Sequence, residues 1–431
     1  MNIIMIILAF NFILIVHELG HFIVAKISKI KVDEFSLFVG PKLFSFTKGE
    51  TTYSLRLFPV LAYVKMEGED EESDSENAFS KKPVWVRAAV IAAGPLANIV
   101  SAIVILTVFF SISGFQTTDI GRLKDDSPAM KAGLQVGDKI LEYDGNKIYQ
   151  SLDLYQFVYI SKGKPAVVKI KRGNEVLEKY IEPEVIPAAK KYMLEFSFNT
   201  ESADSNVVVA VNKGGVADRA GIKKGDRVVG INGVTVNDYN EMRASLQANG
   251  KNPVMVTVER DGELLDFNVT PVEVMEMEQY DIGFYFGYSK GNTLAALKQS
   301  VVFAYSNVRL VPYSLAWLFT GKTSIAEMVG PVGIVSTMND AVKTTASTLE
   351  AILTILYMTG YISIVVGATN LVPFPALDGS KLVILLVEAI RRKPLPIEKE
   401  AIISTIGLFI LIGLSIFISF KDIANILGFQ F

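Results

Sequence analysis

Residues 1–25 read MNIIMIILAFNFILIVHELGHFIVA: a charge-free run to Val16, then His17, Glu18 and His21, then apolar residues again. A helix needs about 20 mainly apolar residues to cross the hydrocarbon of a bilayer, so this stretch reads as a membrane span with three ionisable groups near its end. Positions i and i+4 share a helix face. His17 and His21 can therefore offer two imidazoles to one zinc, with Glu18 beside them as general base. These are the chain's only two histidines. Shuffling the same composition would place them in an H-E-x-x-H pattern only about a few times in ten thousand. The plainer alternative is a pair of core histidines bonded to each other, which is harder to sustain in a membrane, where ionisable groups are costly. The segment has no basic leader and no small-residue cleavage site before the histidines, so it is expected to stay on the chain.

Outward from this span, the composition is that of a membrane protein with soluble parts. Of 431 residues, 50% are apolar and 20% charged, mean hydropathy is +0.35 and the formal charge is −3; an average soluble domain carries about 25% charge. The absence of cysteine excludes disulfides, thiolate metal sites and a cysteine nucleophile. A pI near 5.7 gives no electrostatic reason to expect nucleic acid as a partner. Three further charge-free runs, 88–118, 351–377 and 401–420, predict a four-span, multi-pass α-helical protein with spans over 1–25, 88–114, 349–379 and 401–420. Lys26, Lys29 and Lys31, then Lys81, Lys82 and Arg87, then Arg391, Arg392 and Lys393 flank the spans on one side. By the positive-inside rule that side is cytoplasmic, which puts both termini and residues 115–348 outside. Within 290–345, the apolar run Ser300–Phe319 has Arg309 and Pro312 at its centre. Both are costly in lipid, so the run is expected to be an interfacial amphipathic helix rather than a fifth span.

Between Asp119 and Pro271 the sequence repeats at an offset of 88 residues without a gap: Ala129, Gly133, Gly137, Asp138 and Arg172 match Ala217, Gly221, Gly225, Asp226 and Arg260. Such a period is too long for a solenoid and indicates two small tandem domains, 119–185 and 200–272. Each has an A-G-[LI]-x-x-G-D run, a D-G or N-G turn and alternating strands. Between the first two spans, 26–87 reads as short alternating strands over Phe35–Met66 with a T-K-G-E turn at Thr47–Glu50, followed by an acidic loop from Glu67 to Glu76.

A catalytic zinc takes three protein ligands and leaves a position for water. With no third histidine and no cysteine, the remaining ligand must be a carboxylate. Asp378, in N370-L-V-P-F-P-A-L-D378-G, is the first charge after 27 uncharged residues. In the four-span topology the first and third spans run the same way, so their ends meet. His17 lies about 24 Å along its helix, in the cytoplasmic third of the core, and Pro373 and Pro375 break the third helix so that Asp378 can reach that depth.

H-E-x-x-H in the first span, G94-P-L-A-N98 in the second, N-x-x-P-x-P-x-x-D-G in the third and the tandem repeat together resemble the site-2 protease family, the M50-type intramembrane zinc metalloproteases of the RseP/RasP type. The 88-residue repeats resemble the circularly permuted PDZ domains of membrane-associated proteases. The resemblance implies zinc on His17, His21 and Asp378, Glu18 as the catalytic residue, and substrate contacts from Asn370, Pro373 and Pro375. For Gly94 and Asn98, close helix packing is an equal reading.

It also implies a plasma-membrane enzyme with its zinc toward the cytoplasm and its PDZ domains outside. Its partners would be the lipid bilayer and single-pass membrane proteins already cut by another protease, such as anti-sigma factors or signal-peptide remnants. The PDZ pair would bind peptide or filter substrates by size; it could also be a mere spacer. The strands of Phe35–Met66 resemble the family's membrane-associated β-hairpin, which could pair with an unwound substrate, or they form an ordinary cytoplasmic hairpin. The contrasting functional reading is a non-proteolytic scaffold that recruits peptides through its PDZ pair around a structural zinc. Structural zinc is usually closed by four protein ligands, which this chain hardly supplies.

Overall fold

Helix α1 (Asn2–Ile27) runs unbroken through both histidines. The computed structural model to which it belongs describes residues 2–69, 71–198, 206–343, 345 and 347–426. After α1 come β1 (Val32–Lys48), β2 (Thr51–Met66) and α2 (Val84–Ser113). A two-module insert follows, then α7 (Thr293–Phe319), α8 (Pro331–Lys343), α9 (Thr348–Asn370), α10 (Asp378–Arg391) and α11 (Ile397–Ile426). Among the described residues four helices, α1, α2, α9 and α11, are long and apolar enough to cross a membrane. Helix α2 is the hub, with α1, α7, α9 and α10 packed on it. The backbones approach closely because glycines sit at the crossings. A Cβ on Gly20 would lie 2.3 Å from the Ala93 carbonyl oxygen, and one on Gly367 would lie 2.7 Å from that of Pro95.

The β1–β2 hairpin is doubled on itself: residues 34–37 pair with 52–55 on one side and with 62–65 on the other, while 44–48 pair with 51–55. Arg56 pins the fold, donating to the Gly40 carbonyl at 2.8 Å, to Ser36 Oγ at 3.1 Å and to Glu34 at 2.9 Å. Burial would raise the Glu34 carboxyl, but hydrogen bonds from Ser54 and Arg56 outweigh it and hold it at about 2. The outer run leaves Leu43, Phe44 and Phe46 exposed, as does the turn with Leu57, Phe58 and Leu61.

In the insert, the first module contains β3 (Phe115–Leu123), α3 (Pro128–Lys131), β4 (Lys139–Tyr143), β5 (Asn146–Lys147), α4 (Ser151–Ser161), β6 (Ala166–Arg172) and β7 (Glu175–Ile181). Connectors β8 (Glu184–Ile186) and β9 (Ala189–Met193) lead to β10 (Phe196–Phe198). The second module repeats the plan with β11 (Val208–Val211), α5 (Val216–Ala220), β12 (Arg227–Ile231), β13 (Val234–Thr235), α6 (Tyr239–Asn249), β14 (Val254–Arg260) and β15 (Glu263–Val269). Connectors β16 (Val272–Glu276) and β17 (Gln279–Asp281) then lead to β18 (Phe284–Ser289).

The two modules exchange their last strands. In the first, Phe284, Tyr285 and Phe286 of β18 pair with Leu123, Arg122 and Ile120, giving the order β18-β3-β4-β6-β7. In the second, Phe196, Ser197 and Phe198 of β10 pair with Val211, Ala210 and Val208. Every partner is displaced by the same 88 positions. Each copy of the repeat therefore donates its final strand to the other copy, and the connectors pair antiparallel as β8–β17 and β9–β16. The boundaries expected from sequence, 119–185 and 200–272, cut both sheets and need correction: the first module requires 284–289 and the second requires 196–198. The repeated aspartate and arginine form matching ion pairs, Arg172–Asp138 at 2.7 Å and Arg260–Asp226 at 2.6 Å. Each arginine also caps the carbonyl of the repeat's glycine, Gly133 or Gly221.

Helix α7 passes straight through Pro312 and belongs to two bodies. Its first half places Phe303 against Phe110 and Tyr357. Its second half sends Leu310 into the first module's core and Trp317 against Phe157. Arg309 faces this module, where it meets the fully buried Asp153 at 3.2 Å.

Candidate metal centre

The three groups singled out by sequence converge. His17 and His21 lie one turn apart on α1, and their Nε2 atoms stand 3.1 and 3.6 Å from Asp378 Oδ2 and 3.2 Å from each other. Their side chains are 12%, 12% and 20% exposed, so the cluster is shielded but reachable. Asp378 does not lie within the third span, which was expected to run over 349–379. The helix α9 ends at Asn370, and Asp378 opens α10. Between them the chain turns back tightly, with Ala376 at φ 76°. A Cβ on Gly379 would meet the Val372 carbonyl at 2.3 Å, so only glycine lets α10 start so close to the turn. Asn370, Pro373 and Pro375 belong to this turn and are not members of the metal cluster; Pro375 packs against Gly407 of α11. Two ion pairs set the direction of α10: Arg87 of α2 with Glu388, and Lys381 with Glu69 at 2.8 Å.

The donor chemistry fits a cation. His21 Nδ1 is 2.8 Å from the Val90 carbonyl, which can only accept, so Nδ1 carries the proton and, in the neutral ring, Nε2 presents a lone pair. Among the described residues, Asp378 Oδ2 is buried without a hydrogen-bond donor. Lone pairs facing one another at this distance repel unless a positive ion lies between them, and two imidazoles with one carboxylate suit zinc. Glu18, the next residue after His17, is close enough to interact electrostatically with His17, His21 and Asp378.

Two contacts behind the histidines had no usable signal in the sequence or only an ambiguous one. The Val90 carbonyl is backbone and leaves no trace in residue identity. Asn98, whose amide is 3.3 Å from His17 Nδ1, could be read equally as a packing residue. Gly94 is packing of a specific kind: a Cβ there would lie 2.3 Å from His21 Nε2 and 2.9 Å from His17 Nε2.

An H-E-x-x-H pair and an aspartate gathered among membrane-length helices define an intramembrane zinc metalloprotease of the site-2 type. The comparisons with known proteins agree. The chain belongs to peptidase family M50, whose family model matches residues 5–414. A Clostridium perfringens relative, assigned by its name to the zinc metalloproteases, is 30% identical over 424 residues, covering 98% of each chain. The regulator of sigma-W protease RasP of Bacillus subtilis is 27% identical over 435 residues, covering 97% of each. Among solved structures, the HtrA3 PDZ domain bound to a phage-derived ligand aligns with 20% of this chain and 91% of its own length, at 24% identity and a TM-score of 0.18.

Proposed function

We propose that His17, His21 and Asp378 hold the zinc and that Glu18 is the general base of a peptidase acting on single-pass membrane proteins. The observation that carries the reading is the meeting of two imidazole nitrogens and an unpartnered carboxylate oxygen within 4.8 Å. When bound, zinc polarises a scissile carbonyl and lowers the pKa of a coordinated water to near 7. Glu18 takes the water proton and later passes it to the leaving amine. A cleft of about 310 Å³ beside α11, lined by Leu377, Leu408, Ala401, Ser380, Glu69 and Glu400, lies next to the start of α10.

A substrate helix hides its carbonyls in its own hydrogen bonds, and lipid offers no replacement. The doubled hairpin, with its exposed Leu43, Phe44 and Phe46, supports a membrane-associated sheet whose edge pairs with the unwound strand. Asn370, at the end of α9, and Pro373 and Pro375, in the turn before Asp378, hold the substrate in this reading. The strand-exchanged modules, read as a PDZ pair outside the membrane, admit substrates that another protease has trimmed. Anti-sigma factors and signal-peptide remnants fit that description, the former in keeping with the sigma-W regulator among the relatives. The test is Glu18→Gln in purified protein with a single-span model substrate. Cleavage should fall to background while zinc stays bound; cleavage at the wild-type rate would overturn the mechanism.

A further inference from the structure

We propose that Asn98 is a positioning residue that fixes His17 as a metal ligand by accepting its Nδ1 proton. This rests on the reading of His17 as a ligand. A neutral imidazole carries one proton, and a lone pair on His17 Nε2, the atom facing Asp378, puts that proton on Nδ1. The ring then needs an acceptor at Nδ1, and the group in place is the Asn98 amide, 3.3 Å away on a side chain with no exposed surface. The amide stands with Nδ2 toward the ring and with Oδ1 buried and, among the described residues, unpartnered. Two donors cannot face each other. Oxygen and nitrogen of an amide differ little in shape, and their assignment follows from the network; turning the group by 180° brings the orphaned Oδ1 onto Nδ1–H.

The residue has little freedom to serve otherwise. Its carbonyl accepts the hydroxyls of Ser101 and Ser363 at 2.9 Å each. A Cβ on Gly367 of α9 would come within 3.2 Å of its own Cβ, so α9 closes the space behind it. Helix α2 thus braces both histidines from behind in antiparallel order: the Val90 carbonyl behind His21, and the Asn98 amide two turns later behind His17. Outer partners of this kind set the tautomer and basicity of a ligating imidazole, and losing one weakens metal binding by about 10–100-fold.

The test measures zinc affinity by chelator competition in full-length protein, comparing wild type, Asn98→Leu, Asn98→Asp and His17→Ala, with the melting temperature of the zinc-free forms alongside. Asn98→Leu keeps the volume and removes the acceptor, so its zinc affinity should fall by about 10–100-fold at an unchanged zinc-free melting temperature. Asn98→Asp keeps an acceptor and should bind zinc as tightly as wild type or more tightly. A leucine variant within twofold of wild type, or an aspartate variant weakened as much as the leucine one, overturns the proposal. If the leucine variant does not fold, the aspartate variant decides alone. Unchanged zinc affinity in His17→Ala would instead refute the ligand reading on which the proposal stands.

Discussion

Gly94→Ala should destroy the metal site while sparing the fold around it. The added methyl carbon would sit 2.3 Å from His21 Nε2 and 2.9 Å from His17 Nε2. Ordinary contact is about 3.4 Å or more, whereas a zinc ligand needs its nitrogen about 2.0–2.1 Å from the metal. The methyl would therefore crowd the ligand nitrogens, and the His21 ring would have to retreat by about 1 Å and the His17 ring by about 0.5 Å. A metal site tolerates about 0.2 Å. On the Nδ1 side of His21 the Val90 carbonyl, 2.8 Å away, leaves the ring little room to shift. The overpacking itself costs about 1–3 kcal/mol, which a bundle of this size can absorb. Zinc per chain by mass spectrometry and cleavage of a single-span substrate should both fall to background, while detergent-solubilised protein elutes normally. Gly413→Ala on α11, where a Cβ meets nothing within 4 Å, is the matched control and should keep both. Full zinc occupancy and full activity in Gly94→Ala would refute the claim that α2 backs directly onto the ligand atoms.

Other consequences lie in the insert. Burial raises the Asp138 and Asp226 carboxyls, but the hydrogen bonds from Arg172 and Arg260 prevail and hold both below their ordinary value of 3.8. Their contribution to stability is complete above that value and is lost as pH falls through the lower folded-state values; thermal melts of the insert should show this acid limb, and Asp226→Asn should flatten it. Arg309→Met leaves the buried Asp153 carboxylate its donors from Tyr149, Gln150 and Ser306 but removes its cation, and should cost about 3 kcal/mol, with the double variant Arg309→Met/Asp153→Asn recovering part of it. Trp317 fluorescence in a Trp85→Phe background reads that contact. Phe115 and Ser289 are strand partners. Removing 116–288 and bridging the ends should give a zinc-binding protein that cuts untrimmed substrates, whereas removing 119–271 leaves β18 without its sheet and should yield aggregates. Equal behaviour of the two deletions would count against the strand exchange.

Much of the architecture was legible because its causes are local. A charge-free run of span length has few alternatives to a membrane helix, and H-E-x-x-H on such a helix puts two imidazoles on one face. The exchange of strands was hidden for a definable reason. Leu194–Phe198 and Ile282–Phe286 also stand 88 positions apart, but only their two phenylalanines are shared. The repeat fades in identity at the very strands that each module receives from the other. Arg309 was misleading in another way: a charge in an apolar run signals cost in lipid, yet its partner Asp153 lies 156 positions earlier in the sequence, beyond the reach of any local pattern.

The metal centre shows where such reading stops and why. Ligands are chosen by side-chain chemistry, so scarcity of histidine and cysteine was enough to direct attention to a carboxylate. What holds ligands in place is backbone proximity, and that is encoded by residues that are absent rather than present. Gly20, Gly94, Gly367 and Gly379 each mark a point where a Cβ would strike a carbonyl or a ligand nitrogen. Three of them bring α1 and α9 onto α2, and the fourth folds the proline turn so that α10 begins at Asp378. In sequence these glycines are indistinguishable from ordinary small-residue packing in membrane helices. Their effect is to make the distance between α1 and α10, and so the distance between histidine and aspartate, a property of helix crossings set on the far side of the ligands. On that argument, substitutions that widen the α2–α9 crossing, such as Gly367→Val, should weaken zinc binding although no atom of α9 touches the metal. Zinc affinity unchanged by a widened crossing would show that the turn at Pro373–Leu377 alone sets the position of Asp378.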